Sequence, residues 1–324
     1  MQIRFQKAFA AACLATGLLA GANASAVSWP ERPITLVVPF APGGSTDTTA
    51  RLLAAGLTEV LGKPVVVDNR GGAGGNIGAS LVAQAKADGY TYLFATNAHA
   101  AATKLYRRLS YDLKRDFVPV AQVVSFPSVV VVQTDFPARS LQEFVDYVAQ
   151  KKGPVNYGSA GNGSSHHLTT SLMNRMIKGE MVHIPFKGGG PAAVALLGGQ
   201  VQMNIAPLIE AMPYISSGQL RPLGVTTAEP APLYPDVPPI ASVLPGYEVQ
   251  MWSGVLAPTG TSPEIIEQMN AAIRQVLHEP QVAQKLEGMG YRIFDEPVGT
   301  LKAIYDTEIE RWSQLVELSG AEIN

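Results

Sequence analysis

The chain has 324 residues, of which 47% are hydrophobic and 15% are charged, and its formal net charge at pH 7 is −2. This length and hydrophobic share support one large domain or two of about 150 residues, and they exclude an intrinsically disordered chain. The small negative charge, without a run of basic residues, excludes a nucleic-acid partner, because phosphate backbones are bound by clustered Lys and Arg.

The N-terminal segment has the pattern of a secretory signal peptide over residues 1–26. Arg4 and Lys7 precede an uncharged run over residues 8–20, which is shorter than the roughly 20 apolar residues of a spanning helix. Because Ala24-Ser25-Ala26 follow, we expect cleavage after Ala26 and export to the periplasm, with a retained membrane anchor as the alternative. Cleavage removes both basic residues and the only cysteine, Cys13, so the formal charge goes from −2 to −4 and no disulfide can form.

The elements that follow alternate between strand and helix. Their apolar spacing predicts strands over residues 34–38, 65–67 and 90–95, and helices over residues 48–61 and 76–87. Alternation of this kind is typical of an α/β fold with a sheet of parallel strands.

A second set of elements continues the alternation. We expect strands over residues 129–132, 155–157, 181–184 and 201–205, and helices over residues 141–150, 168–177 and 192–197. A stretch rich in Pro and Gly over residues 229–246 predicts a connection, after which a strand over 249–256 and amphipathic helices over 263–277 and 301–318 end the chain. Two comparable α/β units account for the length.

Two glycine-rich loops, over residues 39–47 and 158–167, each lie between a predicted strand and a helix. Glycine lets backbone N–H groups approach a ligand, and a helix N-terminus favours an anion, so each loop can hold a carboxylate. For the first loop an ordinary helix cap is an equally good interpretation. The second loop has three glycines and three serines, more than a cap requires, and binding is the favoured interpretation.

Motifs for catalysis and for metal binding fail on inspection. Residues 56–63 resemble a phosphate-binding loop, but the glycines are one residue too far apart and Pro64 stands where Ser or Thr must hold Mg²⁺. Gly158-Ser159-Ala160-Gly161 is one residue out of register for a nucleophile elbow. His166 and His167 are adjacent and point in different directions on a helix, so they cannot chelate together. The sequence predicts no enzyme, no metal and no cofactor.

Several short sequence blocks extend from Trp29 to the C-terminus. They are Trp29-Pro30, residues 39–47, Val67-Asp68-Asn69-Arg70, Asp88-Gly89-Tyr90, residues 116–120, residues 157–168, residues 183–189, residues 234–238, and Trp252 with Ala257-Pro258. Together these blocks resemble the Bug family, the substrate-binding components associated with tripartite tricarboxylate transporters. The resemblance implies an α/β, type II periplasmic binding protein fold, with two α/β lobes around a ligand cleft. Mapped here, lobe 1 is discontinuous, over residues 27–126 and 249–324, and lobe 2 spans residues 127–248.

The resemblance also implies the ligand and the site. In the family a carboxylate is held mainly by backbone amides and ordered waters from one loop of each lobe. The matching candidates are Ala41, Pro42, Gly43, Gly44, Ser45, Thr46 and Asp47 in the first loop, Ser159, Ala160, Gly161, Asn162, Gly163 and Ser164 in the second, and Thr96, Asn97, His167 and Asn204 beside them. Lys187 is interpreted as a solvated lysine outside the site. We expect a monomer that binds a small organic carboxylate and delivers it to transporter membrane subunits.

Two other functions stay open at this point. The protein can be a sensor that presents its closed form to a signalling receptor, or a hydrolase on the same scaffold with Ser164 and His167 as nucleophile and base. The absence of an oxyanion motif argues against the hydrolase. Gln202 stands where relatives usually carry an acid, and Gly71-Gly72 stand where Pro and Gly usually follow Arg70. These departures leave the identity of the carboxylate open.

Overall fold

The computed structural model describes residues 29–150 and 153–321, so the predicted signal peptide lies outside the described part of the chain. Within that part, the chain forms two β-sheets with helices packed against them, which confirms the predicted α/β class. None of the helices in these two ranges combines the length and the hydrophobicity that crossing a bilayer requires.

The strands form a six-stranded sheet of order β11-β4-β10-β3-β1-β2 and a five-stranded sheet of order β7-β6-β8-β5-β9. In chain order they are β1 (Ile34–Val38), β2 (Val65–Asn69), β3 (Thr91–Thr96), β4 (Phe117–Phe126), β5 (Ser128–Gln133), β6 (Asn156–Ser159), β7 (Val182–Pro185), β8 (Met203–Pro207), β9 (Leu220–Val225), β10 (Met251–Pro258) and β11 (Arg292–Ile293). The inner strands β3, β5, β8 and β10 are almost fully buried, because their apolar side chains face packed helices.

The helices begin and end at residues with the expected local chemistry. In chain order they are α1 (Ser45–Leu61), α2 (Asn76–Ala83), α3 (Asn97–Leu105), α4 (Leu141–Ala149), α5 (Ser165–Ile177), α6 (Gly189–Leu197), α7 (Leu208–Ser216), α8 (Pro263–His278), α9 (Pro280–Gly288) and α10 (Val298–Ser319). α1 ends where Gly62 adopts a φ of 65°, a left-handed conformation that glycine reaches at little cost. α8 and α9 each begin with proline, which suits the first helical position because that N–H has no partner there.

Both sheets have the same strand order. β1 lies between its parallel neighbours β2 and β3, and β6 lies between its parallel neighbours β7 and β8. The third strand of each set, β3 or β8, then pairs with an antiparallel strand, β10 or β5. β3 with α3 in the first unit is therefore equivalent to β8 with α7 in the second.

Two connections join the units. The chain leaves the first sheet after β4 at Pro127, and it returns between β9 and β10. The predicted connection over residues 229–246 lies in this return and contains a short 3₁₀ helix, Ile240–Ser242. The C-terminal helix α10 packs against α3 in the first unit and against α5 in the second, with Trp312 fully buried.

The structure corrects several element predictions. Both sheets are mixed, because β10 and β5 run antiparallel to their neighbours where the chain passes between the units. The helix predicted over residues 76–87 ends at Ala83, and residues 84–90 form turns that lead into β3, including Gly89 with a φ of 80°. Strands β4, β9 and β11 and helices α3, α7 and α9 were not predicted.

Candidate ligand-binding site

A polar cavity lies between the two units, at the ends of strands where helices begin. In the described part of the chain, five helices (α1, α3, α5, α6 and α7) begin at this cavity. Its lining consists of Phe40, Ala41, Gly44, Ser45, Thr46, Thr96, Asn97 and Phe126 from the first unit, and Ala160, Ser164, Ser165, His166, Gly189, Pro207 and Glu210 from the second. The free volume is about 30 Å³, little more than the space of a water molecule. The two units therefore enclose the site closely.

The first glycine-rich loop is held by Asp47. Its Oδ2 accepts hydrogen bonds from the Gly43 N–H and from Arg51 Nε, both at 3.0 Å, and its Oδ1 accepts from Asn69 Nδ2 at 2.9 Å. Burial raises the pKa of Asp47, but these hydrogen bonds outweigh burial and hold its pKa below the usual value. Asp47 thus fixes the loop from within its own unit and leaves the Ser45 amide directed at the cavity.

The second glycine-rich loop is held in place by hydrogen bonds from its own backbone amides. The Gly161 N–H donates to Ser159 Oγ at 3.1 Å, and the Gly163 N–H donates to His167 Nδ1 at 3.1 Å. Gly163 has a φ of 76°, which a β-branched residue reaches only with strain. The ring of His167 stacks on His183 with 3.9 Å between centroids. These contacts shape the loop and leave the α5 N-terminus, at Ser164 and Ser165, at the cavity.

The two stacked histidines are neutral at neutral pH. Burial lowers the pKa of His167 to about 4. Burial and the neighbouring His167 lower the pKa of His183 to about 3. A neutral ring can accept the Gly163 N–H at His167 Nδ1, whereas a protonated ring cannot.

At the end of β3, Thr96 caps α3. The Thr96 hydroxyl accepts from the Ala98 N–H at 3.3 Å, and His99 Nδ1 accepts from the Thr96 N–H at 3.0 Å, so the side chain three residues into the helix folds back onto the cap. Asn97 lines the cavity and is only 2% exposed, and its Nδ2 has no hydrogen-bond partner among the described residues. Asn97 therefore has a donor available at the cavity.

At the equivalent end of β8, the cap of α7 is Pro207, and the acidic residue three positions on is Glu210. Glu210 Oε1 accepts from the Ser45 N–H of the first unit at 2.8 Å, and its Oε2 lies 3.4 Å from His166 Nε2. The Glu210 side chain is 11% exposed. Burial raises the pKa of Glu210, but the hydrogen bonds from His166 and Ser45 outweigh burial, so its pKa lies below the usual range and the group is ionised at neutral pH.

The structure brings many of the predicted site residues together. The cavity is lined by the predicted residues Ala41, Gly44, Ser45, Thr46, Thr96, Asn97, Ala160 and Ser164. An adjacent groove, also lined by Lys187, contains Pro42, Gly161 and Asn162. Six predicted residues line neither space and instead hold the loops or sheets in place: Gly43, Asp47, Ser159, Gly163, His167 and Asn204.

Asn204 and Gln202 also act within the second sheet. Asn204 Oδ1 accepts from the Gly158 N–H at 2.9 Å, and its Nδ2 donates to the Ala192 carbonyl at 3.1 Å. Gln202 Oε1 accepts from the Asn156 N–H at 2.9 Å. Neither side chain lines the cavity, and within the described residues no group of three or more His, Cys, Asp and Glu side chains is placed to hold a metal ion.

The sequence analysis did not predict Glu210, the acidic residue that lines the cavity. Glu210 lies in Pro207-Leu208-Ile209-Glu210, directly after a buried strand. The available signal was a lone acid after an apolar strand, on the same sheet edge as the second glycine-rich loop. Phe40, Phe126, Ser165, His166, Gly189 and Pro207 were likewise not predicted as lining residues.

Two α/β units of matching strand order, joined by two connections around a polar cavity, define a two-lobed protein with the periplasmic binding protein fold. The family model described as tripartite tricarboxylate transporter family receptor matches residues 49–321. The chain therefore belongs to this family of receptors, which includes the Bug proteins, as its sequence blocks predict.

Solved structures of relatives agree with this assignment. The chain is 37% identical to R. palustris Rpa4515 with adipate, with a TM-score of 0.87, over 91% of this chain and 100% of that chain. It is 32% identical to the periplasmic binding protein BugD, with a TM-score of 0.87, over 91% and 99% of the two chains. It is 35% identical to MatC from Rhodopseudomonas palustris with bound malate, with a TM-score of 0.84, over 89% and 100%. The predicted two-lobed fold is confirmed.

Proposed function

We propose that this chain is a periplasmic receptor that captures a small carboxylate-bearing solute between its lobes and delivers it to the membrane subunits of a tripartite tricarboxylate-type transporter. The observation that carries the proposal is the convergence of five helix N-termini on one enclosed polar cavity. First-turn N–H groups have no intrahelical partner, and the helix dipole places partial positive charge there, so the cavity favours an anion. The site binds and releases its ligand without turnover.

The relatives support the ligand class. Rpa4515 was solved with adipate and MatC with malate, both small dicarboxylates. The carboxylate group is the feature that the helix N-termini of this chain suit. We propose that backbone amides of the two loops, together with Asn97, contact the ligand.

The enclosed volume supports a closing motion. The cavity volume is only about 30 Å³, and we propose that the lobes separate to admit a ligand and close again around it. We propose lobe 1 over residues 27–126 and 249–324 and lobe 2 over residues 127–248, because the first sheet draws its strands from 34–126 and 251–293 and the second from 128–225.

The proposed location follows from the N-terminal segment and from the family. We propose that the chain is exported and cleaved after Ala26, and the relative BugD is a periplasmic binding protein. The intact mass of the secreted protein tests the cleavage. A mature protein that begins at Val27 is the expected result, and a mass that includes Met1 contradicts it.

The binding function is tested by thermal unfolding of the mature protein with a series of small carboxylates and with their methyl esters. A ligand at about a hundred times its dissociation constant should add roughly 2.7 kcal/mol, and the fully esterified compounds should add nothing. Small-angle scattering with a saturating ligand should show a smaller radius of gyration for the bound form than for the open form. Binding of esters and acids alike, or turnover of either, would contradict the proposal.

A further inference from the structure

Glu210 occupies an unusual place for an acid. Its carboxylate belongs to the second unit, yet it accepts a hydrogen bond from the Ser45 N–H at the start of α1 in the first unit, across the cavity. This amide is one of those that the sequence assigns to a ligand carboxylate. Since Glu210 already holds it, a ligand carboxylate must use other helix N-termini of the cavity.

The local sequence explains why Glu210 reaches the cavity. At the equivalent junction of the first unit, His99 folds back and accepts the N–H of the cap residue Thr96. Pro207, the cap residue of α7, has no N–H to offer, and α7 has no side-chain cap. Glu210 is therefore not drawn back onto its own helix, and its carboxylate extends toward Ser45.

Two glycines make room for this carboxylate. A side chain at Gly189, the first residue of α6, would overlap the Glu210 carboxylate. A Cβ atom at Gly44, on the facing loop, would lie 3.4 Å from Glu210 Oε1. The position of Glu210 thus depends on glycine at position 189, whereas a Cβ at position 44 would only come into contact with the carboxylate.

Unpartnered polar atoms lie in the same cavity. Asn97 Nδ2 and His166 Nδ1 have no hydrogen-bond partner among the described residues, although Asn97 is 2% exposed and His166 is 5% exposed. Buried polar atoms are rarely left without a partner, because each costs free energy when it is removed from water. A ligand oxygen that accepts from Asn97 would supply one of the missing bonds.

These observations describe a cavity that is lined by both an ionised acid, Glu210, and an amide donor without a partner, Asn97. On the basis of the proposed function, we propose that Glu210 is the specificity-determining residue: it selects a monocarboxylate whose other end is an amide or ammonium group, and it rejects a second carboxylate there. Two ionised carboxylates in an enclosed site repel each other, whereas an N–H group donates a charge-assisted hydrogen bond to Glu210. An amide end also offers its carbonyl to Asn97.

The test is a calorimetric titration with matched ligands: adipate, its half-amide and its monomethyl ester, and the same three derivatives of succinate. The mature wild-type protein should bind a half-amide about tenfold or more tightly than the diacid, and the half-ester, which has no N–H, should fall below the half-amide. This comparison requires no variant, so it does not depend on the folding of one.

Glu210→Gln then identifies the residue responsible. The variant should lose the preference for the half-amide over the diacid, because glutamine carries no charge and can donate to a carboxylate. Glu143→Gln is the matched control: Glu143 occupies the same third position of its helix, α4, and does not line the cavity, so the preference should be unchanged.

The outcomes separate this inference from the proposed function. If carboxylates bind but the diacid binds as tightly as the half-amide, and Glu210→Gln changes neither, the inference is wrong and the proposed function stands. An equal loss of affinity for every ligand in Glu210→Gln would assign Glu210 a structural role and also overturn the inference. If neither protein binds any carboxylate in the series, the proposed function fails and the inference fails with it.

Discussion

The ends of β3 and β8 are equivalent places in the two lobes, and they differ in one decisive respect. At the end of β3, His99 Nδ1 accepts the N–H of the cap residue Thr96 in a local arrangement within one lobe. At the end of β8, Pro207 cannot donate, and Glu210 instead forms a contact with Ser45 in the other lobe. The same architecture thus yields a self-contained helix start in one lobe and a charged cavity group in the other. The difference teaches that the cap residue of a helix can decide which side chain of that helix reaches a site.

The largest effect should come from displacing Glu210 without changing its charge. Gly189→Ala places a Cβ where the Glu210 carboxylate lies, so the carboxylate must leave Ser45. We expect the preference for a half-amide over a diacid to fall about tenfold, or about 1.4 kcal/mol, measured by calorimetry. Gly190→Ala is the control, because no atom lies within 4 Å of its Cβ position, and it should bind like the wild type.

The stability contributions of His99 at the start of α3 and of Glu210 at the start of α7 should change with pH in different ranges. Burial lowers the pKa of His99 to about 4, below its unfolded value of about 6.5, so the unfolded chain binds a proton that the folded chain does not. Stability should therefore fall as the pH is lowered from 7 toward 4, by about 1 kcal/mol between pH 7.5 and pH 5.5 for this histidine. Glu210 has the opposite sign of charge and a lowered pKa, and its contribution is lost only below its unfolded value of about 4.5.

Urea unfolding at pH 7.5 and pH 5.5 measures the histidine effect. His99→Gln should flatten the pH dependence but not abolish it, because His167 and His183 are shifted in the same direction. A wild-type stability that is equal at the two pH values would contradict the buried neutral state.

A smaller effect should follow from giving α7 the cap that α3 has. Pro207→Thr restores a backbone N–H and a hydroxyl, which should draw Glu210 partly back toward its own helix. We expect the half-amide preference to fall by about threefold, or about 0.7 kcal/mol. In the Glu210→Gln background the same substitution should add nothing, since the group it acts on is gone. Additive effects would show that Pro207 acts by another route.

The smallest effect should come from Lys187→Ala. Lys187 lines the adjacent groove and not the cavity that contains Glu210. If helix N-termini and Asn97 recognise the ligand, affinity should change by less than about twofold in a calorimetric titration. A complete loss of binding would require a salt-bridge site in the groove.

The sequence predicted the glycine-rich loops but not the cavity group that faces them. The loops are readable because glycines and serines follow an apolar strand within a few residues, and Gly44, Ser45 and Ser164 do line the cavity. Glu210 is 165 residues from Ser45, and its role depends on a missing N–H at Pro207, which no periodicity reveals. His167 was predicted as a flanking candidate, and its ring accepts the Gly163 N–H, a contact that its place in the sequence does not reveal.

The C-terminal helix α10 has a mechanical consequence. It packs against α3 in one lobe and against α5 in the other, and both of those helices begin at the cavity. Because this one helix lies against both lobes, we expect the lobes to rotate relative to each other about a hinge beside α10 when they open. The mouth of the cavity would then open widest on the side away from α10.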